Sequence, residues 1–215
     1  MANRLALPPL YVILDAALLP SDPTEYLHRL IDSGARLFQY RNKTASAREL
    51  LLAAQALTLT ARLEKATFLV NDRPDIARLV GADGVHVGQD DIELEGARVI
   101  VGPEAMVGIS THNLEQLQAA ERSDADYIAI GPVFDTRSKN NPDPVVGLDL
   151  IRTARHLTSK PIVAIGGITL ERAARVMEAG ADCVAVISDI LAAKHPTARV
   201  KQYLEILPSV EQAGN

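Results

Sequence analysis

With 215 residues, 47% of them hydrophobic and 23% charged, the chain has the make-up of an ordinary globular domain rather than a disordered, collagenous or disulfide-stapled one. At this length roughly 70% of the unfolded chain's surface is buried on folding, so neither a metal nor a disulfide is needed to hold the core, and a bound metal would serve chemistry. Twenty-two Lys and Arg against 27 Asp and Glu leave a net charge of −5 with no long basic tract, which argues against nucleic acid as a partner. The opening residues contain no apolar signal core, and no run of 18 apolar residues occurs, so a cytoplasmic protein with no membrane partner is expected.

Taken in chain order, short β-branched runs alternate with segments of helical spacing, the sequence form of parallel βα units. Strands are predicted at Leu10 to Asp15, Leu37 to Arg41, Thr67 to Asn71, Gly84 to Val87, Met106 to Ser110, Tyr127 to Gly131, Ile162 to Gly166 and Cys183 to Ser188. Most are nearly continuous apolar runs, as strands covered on both faces are. Apolar residues return every three or four positions over Glu49 to Leu63, Glu115 to Arg122, Leu148 to Leu157 and Glu171 to Glu178, which predicts amphipathic helices packed outside a sheet. Eight units of about 27 residues fit a single-domain (β/α)₈ TIM barrel over 1–215. A doubly wound sheet is the rival, but its glycine-rich turn belongs after strand one, whereas the Gly166-Gly167 pair ends strand seven. The glycines of Gly34-Ala35, Gly81-Ala82-Asp83-Gly84 and Gly180-Ala181-Asp182 read as helix C-caps, and the lone Cys183 reads as a small core residue. The connection Val133 to Gly147 is long enough for a working loop.

In a barrel, function collects where strands end. Gln39, Arg41 and Lys43 share one side of strand two by the period of two, and inward cations require carboxylate partners or an anionic ligand, unless the strand ends in a solvated basic patch. Asn71-Asp72 and Asp90-Asp91 put carboxylates at the ends of neighbouring strands, an arrangement suited to Mg²⁺, although Asp72 alone reads more readily as the N-cap of a helix starting at Pro74. His86 alternates with Val85 and Val87 as a packed or hydrogen-bonded core residue, and His112 reads as a loop or helix-start residue. Gly166-Gly167 and Val186-Ile187-Ser188 stand where barrels bind a phosphate through backbone N–H groups, with a tight turn as the plainer alternative. Thr136-Arg137-Ser138-Lys139 adds hydroxyls and cations on the long loop, as a lid over an anion would.

This ordered set resembles the thiamine-phosphate synthases: Gln39-Tyr40-Arg41-Asn42-Lys43, Asn71-Asp72, Gly84 to Asp91, Gly108-Ile109-Ser110, Gly131 to Phe134 with Thr136 to Lys139, Ile165 to Ile168, and Val186-Ile187-Ser188. The resemblance implies that Gln39, Tyr40, Arg41, Asn42, Lys43, Asn71, Ser110 and Lys139 hold 4-amino-5-hydroxymethyl-2-methylpyrimidine diphosphate. It implies that Asp72 and Asp91 bind Mg²⁺, and that Thr136, Arg137, Ser138, Gly167, Ile187 and Ser188 hold the phosphate of 4-methyl-5-(2-hydroxyethyl)thiazole phosphate. Thiamine phosphate and pyrophosphate would be the products, with Arg41, Lys43 and Lys139 acting electrostatically as pyrophosphate leaves. Three positions depart from the commoner family pattern: Arg73 where a second Asp is frequent, Asp135 where Pro is usual, and Ser138 in place of Thr. The rivals are a related thiazole tautomerase, which would give weight to His112 and has no use for the metal pair, and a catalytically idle phosphate-binding barrel. A homo-oligomer is left open by the sequence.

Overall fold

The structure is a computed structural model that describes residues 5–136 and 143–208. Eight parallel strands close into a barrel in sequence order: β1 (Leu10–Asp15), β2 (Leu37–Arg41), β3 (Thr67–Asn71), β4 (Gly84–Val87), β5 (Met106–Thr111), β6 (Tyr127–Ile130), β7 (Ile162–Ile165) and β8 (Cys183–Val186), with β8 returning to pair with β1. The helices outside are α1 (Pro23–Asp32), α2 (Ala47–Leu63), α3 (Pro74–Val80), α4 (Leu94–Val101), α5 (Leu114–Arg122), α6 (Gly147–Leu157), α7 (Leu170–Glu178), the short α8 (Ser188–Leu191) and α9 (Pro196–Ile206). The (β/α)₈ barrel is therefore as the alternation predicts. The last three predicted strands overrun, because Gly131 and Gly166 already turn into the loops of the upper rim and Ile187-Ser188 start α8.

Strand alternation divides the apolar residues into two cores. Outward residues such as Val12, Phe38, Phe68, Val85, Ile128 and Val184 pack under the helices. Inward residues such as Ile13, Leu37, Leu69, Val163 and Ala185, with Cys183, fill the barrel itself. Cys183 is fully buried, as a core residue should be. Local capping fixes the helices: Ser46 and Glu49 form a reciprocal capping box at the start of α2, and Gly81 closes α3 at φ 65°.

The rim where strands begin is bound by three carboxylates that are at least partly exposed. Asp83 accepts from the Phe68 N–H at 2.8 Å, Asp126 from the Val107 N–H at 2.7 Å and Asp182 from the Ile162 N–H at 2.7 Å. Arg98 and Arg155 complete the pairs at Asp126 and Asp182. Among the described residues no helix is long and apolar enough to cross a membrane.

Candidate functional site

All eight strands run the same way, so their C-terminal ends bring side chains from distant stretches of chain to one mouth, which opens into a cavity of about 740 Å³. One wall comes from β1 to β4. Gln39, Arg41 and Lys43 all face the cavity, as their spacing predicts. The inward cations have carboxylate partners from neighbouring strands: Arg41 pairs with Asp15, and Lys43 pairs with Asp72. Asp15 also takes the Ala17 N–H at 3.0 Å, which fixes it beneath the Arg41 guanidinium.

Asp72 is not the N-cap of α3. That position belongs to Arg73, which makes no capping hydrogen bond and instead pairs with Asp75. The backbone of Asp72 donates to the His86 carbonyl at 2.8 Å and adopts φ 62°, a left-handed conformation that costs of order 1 kcal/mol for a residue with a Cβ. That turn swings the carboxylate into the cavity, next to Asp91. Burial, and then the Asp91 carboxyl, push Asp72 up to about 6 against the opposing pull of Lys43. Asp91 is oriented by the Gly88 N–H, which it accepts at 2.8 Å. Two hard carboxylates forced together at the edge of a polar cavity suit a divalent cation such as Mg²⁺, which would relieve their repulsion and leave positions open to ligand oxygens. Asn71 stands beside them on the same wall.

The floor is polar and buried. His86 sits between the Tyr127 hydroxyl and Ser110 Oγ, at 2.8 Å from each. It is thus a hydrogen-bonded core residue, and burial pushes its imidazole down to about 4, so it is neutral. Burial likewise drives the Tyr11 and Tyr127 hydroxyls up, so neither ionises. Gly108 on β5 is what admits the Tyr127 ring, since a Cβ there would lie 2.0 Å from it.

The opposite wall comes from β5 to β8. Gly166 and Gly167 have φ 98° and 62°, and a Cβ on either would collide with Pro132 at 2.5 Å or with the Asp135 carbonyl at 2.3 Å. Both glycines thus have a packing reason as well: the chain after β6 lies directly on the end of β7, with the Val133 and Phe134 N–H groups bonded to the Ile165 and Gly166 carbonyls at 2.9 and 3.0 Å. Gly167, Ile187, Ser188 and Thr136 all face the cavity. Arg172 of α7 adds a cation there, donating to the Gly167 carbonyl at 2.8 Å with its guanidinium 4.7 Å from the Phe134 ring centre. His112 also lines the cavity, with Nδ1 2.5 Å from the Gly131 carbonyl and Nε2 3.5 Å from Asp143.

Two residues of the strand-two motif point elsewhere. Tyr40 packs into the outer core, and Asn42 donates to its hydroxyl at 3.2 Å while accepting from the Thr44 and Ala45 N–H groups at 3.1 and 3.0 Å. Alternation puts Tyr40 on the opposite face from Gln39 and Arg41, so these two residues build the wall rather than touch the cavity. Arg137, Ser138 and Lys139 lie outside the described residues. Sequence reasoning overlooked Tyr11 and Tyr127, which look like core aromatics until the barrel closes, and Arg172, which looks like the solvated face of a helix.

The family model described as thiamine monophosphate synthase matches residues 10–190. A protein of Koribacter versatilis named thiamine-phosphate synthase is 53% identical over 214 residues, covering 97% of this chain and 100% of that one. A protein of the same name from Chloroflexus aurantiacus is 44% identical, covering 94% of each chain. Among solved structures, thiamine phosphate pyrophosphorylase from Pyrococcus furiosus superposes with a TM-score of 0.84 at 35% identity, covering 96% of each chain.

Proposed function

The chain belongs to the thiamine monophosphate synthase family, and from that premise we propose that it joins 4-amino-5-hydroxymethyl-2-methylpyrimidine diphosphate to 4-methyl-5-(2-hydroxyethyl)thiazole phosphate, giving thiamine phosphate and pyrophosphate. The membership makes it an enzyme, a transferase of thiamine biosynthesis. The observation that carries the specific reaction is that one cavity has two differently built walls: Arg41, Lys43, Asp72 and Asp91 on one, and Gly167, Ile187, Ser188 and Arg172 on the other.

The first wall suits the diphosphate. Arg41 and Lys43 are held at its surface by Asp15 and Asp72 and face the charge that builds as the C–O bond to the pyrimidine methylene breaks. Asp72 and Asp91 would hold Mg²⁺, which when bound draws charge from the departing oxygens. Pyrophosphate leaves with the electron pair of the C–O bond, and the amino-pyrimidine delocalises the positive charge left on carbon. The thiazole nitrogen lone pair then forms the new C–N bond. The second wall suits the thiazole phosphate, with the Gly167 backbone and the Ser188 hydroxyl as donors and Arg172 as counter-charge. Seating both substrates in one cavity removes the cost of an encounter, worth several kcal/mol by the effective molarity of oriented groups, about 7–11 at most. No side chain is needed as covalent nucleophile. Of the loop residues outside the described part, the family resemblance assigns Lys139 to the diphosphate and Arg137 and Ser138 to the thiazole phosphate.

The test is to mix both substrates with the protein and Mg²⁺ and follow pyrophosphate and thiamine phosphate. Equal amounts of both are expected, and EDTA should stop their release. A folded protein that releases no pyrophosphate under these conditions overturns the reading, as would release of equal rate in EDTA for the metal.

A further inference from the structure

The hydrogen bonds beneath the cavity form one unbranched chain across five strands. Gln39 Nε2 donates to the Tyr11 hydroxyl at 2.8 Å, the Tyr11 and Tyr127 hydroxyls lie 3.2 Å apart, and Tyr127 and Ser110 flank the two nitrogens of His86 at 2.8 Å each. Gln39, Tyr11, Tyr127 and His86 are all buried, and every member of the chain except Tyr127 lines the cavity, with Gln39 and Ser110 as its two ends. The ring planes lock the arrangement: Tyr11 meets Tyr127 edge-on at 80°, and His86 stacks on Tyr127 at 5.6 Å.

Counting hydrogens ties each link to the next, so the orientation of the Gln39 amide sets them all. Each hydroxyl has one hydrogen, and the imidazole, placed between two hydroxyls with no carboxylate bonded to it, has one. Gln39 donates to Tyr11, so the Tyr11 hydrogen goes to Tyr127 and the Tyr127 hydrogen goes to His86 Nδ1. The imidazole hydrogen is then on Nε2 and goes to Ser110, whose own hydrogen is left for the cavity. Reversing one link alone would set two hydrogens against each other or leave a buried hydroxyl unpaired. The alternative that pairs every group turns the Gln39 amide over and reverses all the links together.

We propose that Tyr11, Tyr127 and His86 are positioning residues that couple the two ends of this chain, so that the cavity presents the Gln39 carbonyl oxygen as an acceptor and the Ser110 hydroxyl as a donor, as one fixed pair. A heterocycle is then selected by the order of its polar groups. An amino-pyrimidine, with a donor amine and bare ring nitrogens, matches that order, and its oxo analogue, with a carbonyl and a ring N–H, opposes it. The choice of a pyrimidine rests on the function proposed above, whereas the coupling of the two ends rests on the hydrogen bonds, and its polarity on Gln39 Nε2 being the donor to Tyr11.

The first measurement is ¹⁵N NMR of the His86 ring in the intact, ligand-free protein. A neutral imidazole protonated on Nε2 is expected, and an Nδ1–H tautomer, an averaged pair of tautomers or an imidazolium overturns the proposal. The second is Tyr127→Phe, which removes one oxygen from the middle of the chain. Calorimetry, which needs no turnover, should show binding of the amino-pyrimidine diphosphate weakened about tenfold, the loss of one buried hydrogen-bond pairing. The preference over the oxo analogue should shrink with it, and thiazole phosphate binding should stay within about twofold because its wall is untouched. Equal weakening of both substrates marks a merely structural role and overturns the proposal. If the variant does not fold, the wild-type tautomer still decides. A wild-type protein that shows the Nε2–H tautomer and the amino preference but releases no pyrophosphate retains the coupling and refutes only the synthase reaction.

Discussion

At the rim where the strands begin, Asp83, Asp126 and Asp182 each accept a backbone N–H from the neighbouring strand, and arginines complete two of the pairs. At the rim where the strands end, Asp72 crowds against Asp91 and is pushed up to about 6, and the cations Arg41 and Lys43 line the cavity beside them. The residue types are the same and the environments are opposite. Carboxylates at the first rim are satisfied by the fold itself, so they hold strands in register. At the second rim Asp72 and Asp91 also have partners, Lys43 and the Gly88 N–H, but they are pressed against each other as well, a crowding that the proposed metal would relieve.

Substitutions at the two rims should therefore separate activity from stability. The largest effect is expected for Asp91→Asn: Mg²⁺-dependent pyrophosphate release should fall at least about 100-fold, more than the loss typical of residues that merely orient metal ligands. Its melting temperature should stay within a few degrees of wild type, and a rate left unchanged would remove Asp91 from the metal. Asp126→Ala should do the reverse. It strands the Val107 N–H, while Arg98 keeps its bonds to the Gly102, Ala105 and Asp124 carbonyls, and should cost about 1–3 kcal/mol, or a melting temperature lower by about 3–10 °C. Its kcat/KM per folded molecule should match wild type, and a drop in kcat/KM with no loss of stability would break the contrast between rims.

The smallest effect concerns His28, on the outer surface near the first rim, whose ring bonds to Glu64 and lies 3.5 Å from Asp32. The Glu64 hydrogen bond and charge, then Asp32, raise its pKa above the ordinary 6.5. A raised value means that the folded chain holds the proton more tightly than the unfolded one. The stabilisation is therefore full below 6.5 and fades as pH rises through the folded-state value. Thermal melts of wild type and His28→Ala should differ most at pH 5.5 and converge by pH 8, and a difference that grows with pH would contradict the pairing.

The barrel was legible because periodicity and the return of apolar runs report local burial, which every strand here expresses in its own few residues. The site was legible where alternation decides orientation, as for Gln39, Arg41 and Lys43. The same rule, applied one residue further, would have turned Tyr40 away from the cavity. Asp72 shows where local rules fail: a residue just before a proline-started helix suggests a cap, but its bond to the β4 backbone is a tertiary fact. Tyr11 and Tyr127 meet across 116 residues, so their partnership exists only once β1 and β6 face each other inside a closed barrel. The Asp83, Asp126 and Asp182 pattern was hidden for a similar reason: a glycine cap accounts for Gly-Ala-Asp at Asp83 and Asp182 without asking which strand stands beside it, and Asp126 follows Ser123-Asp124-Ala125 with no glycine at all.

Gly166 and Gly167 have a consequence for how such a protein can change. Because no side chain fits between them and the segment after β6, that segment and the proposed seat of the thiazole phosphate share a single surface of contact. A shift in one is a displacement of the other, so a lineage or an engineer altering the grip on the second substrate must also rebuild the approach to the mouth, and variation in the two should come in matched steps.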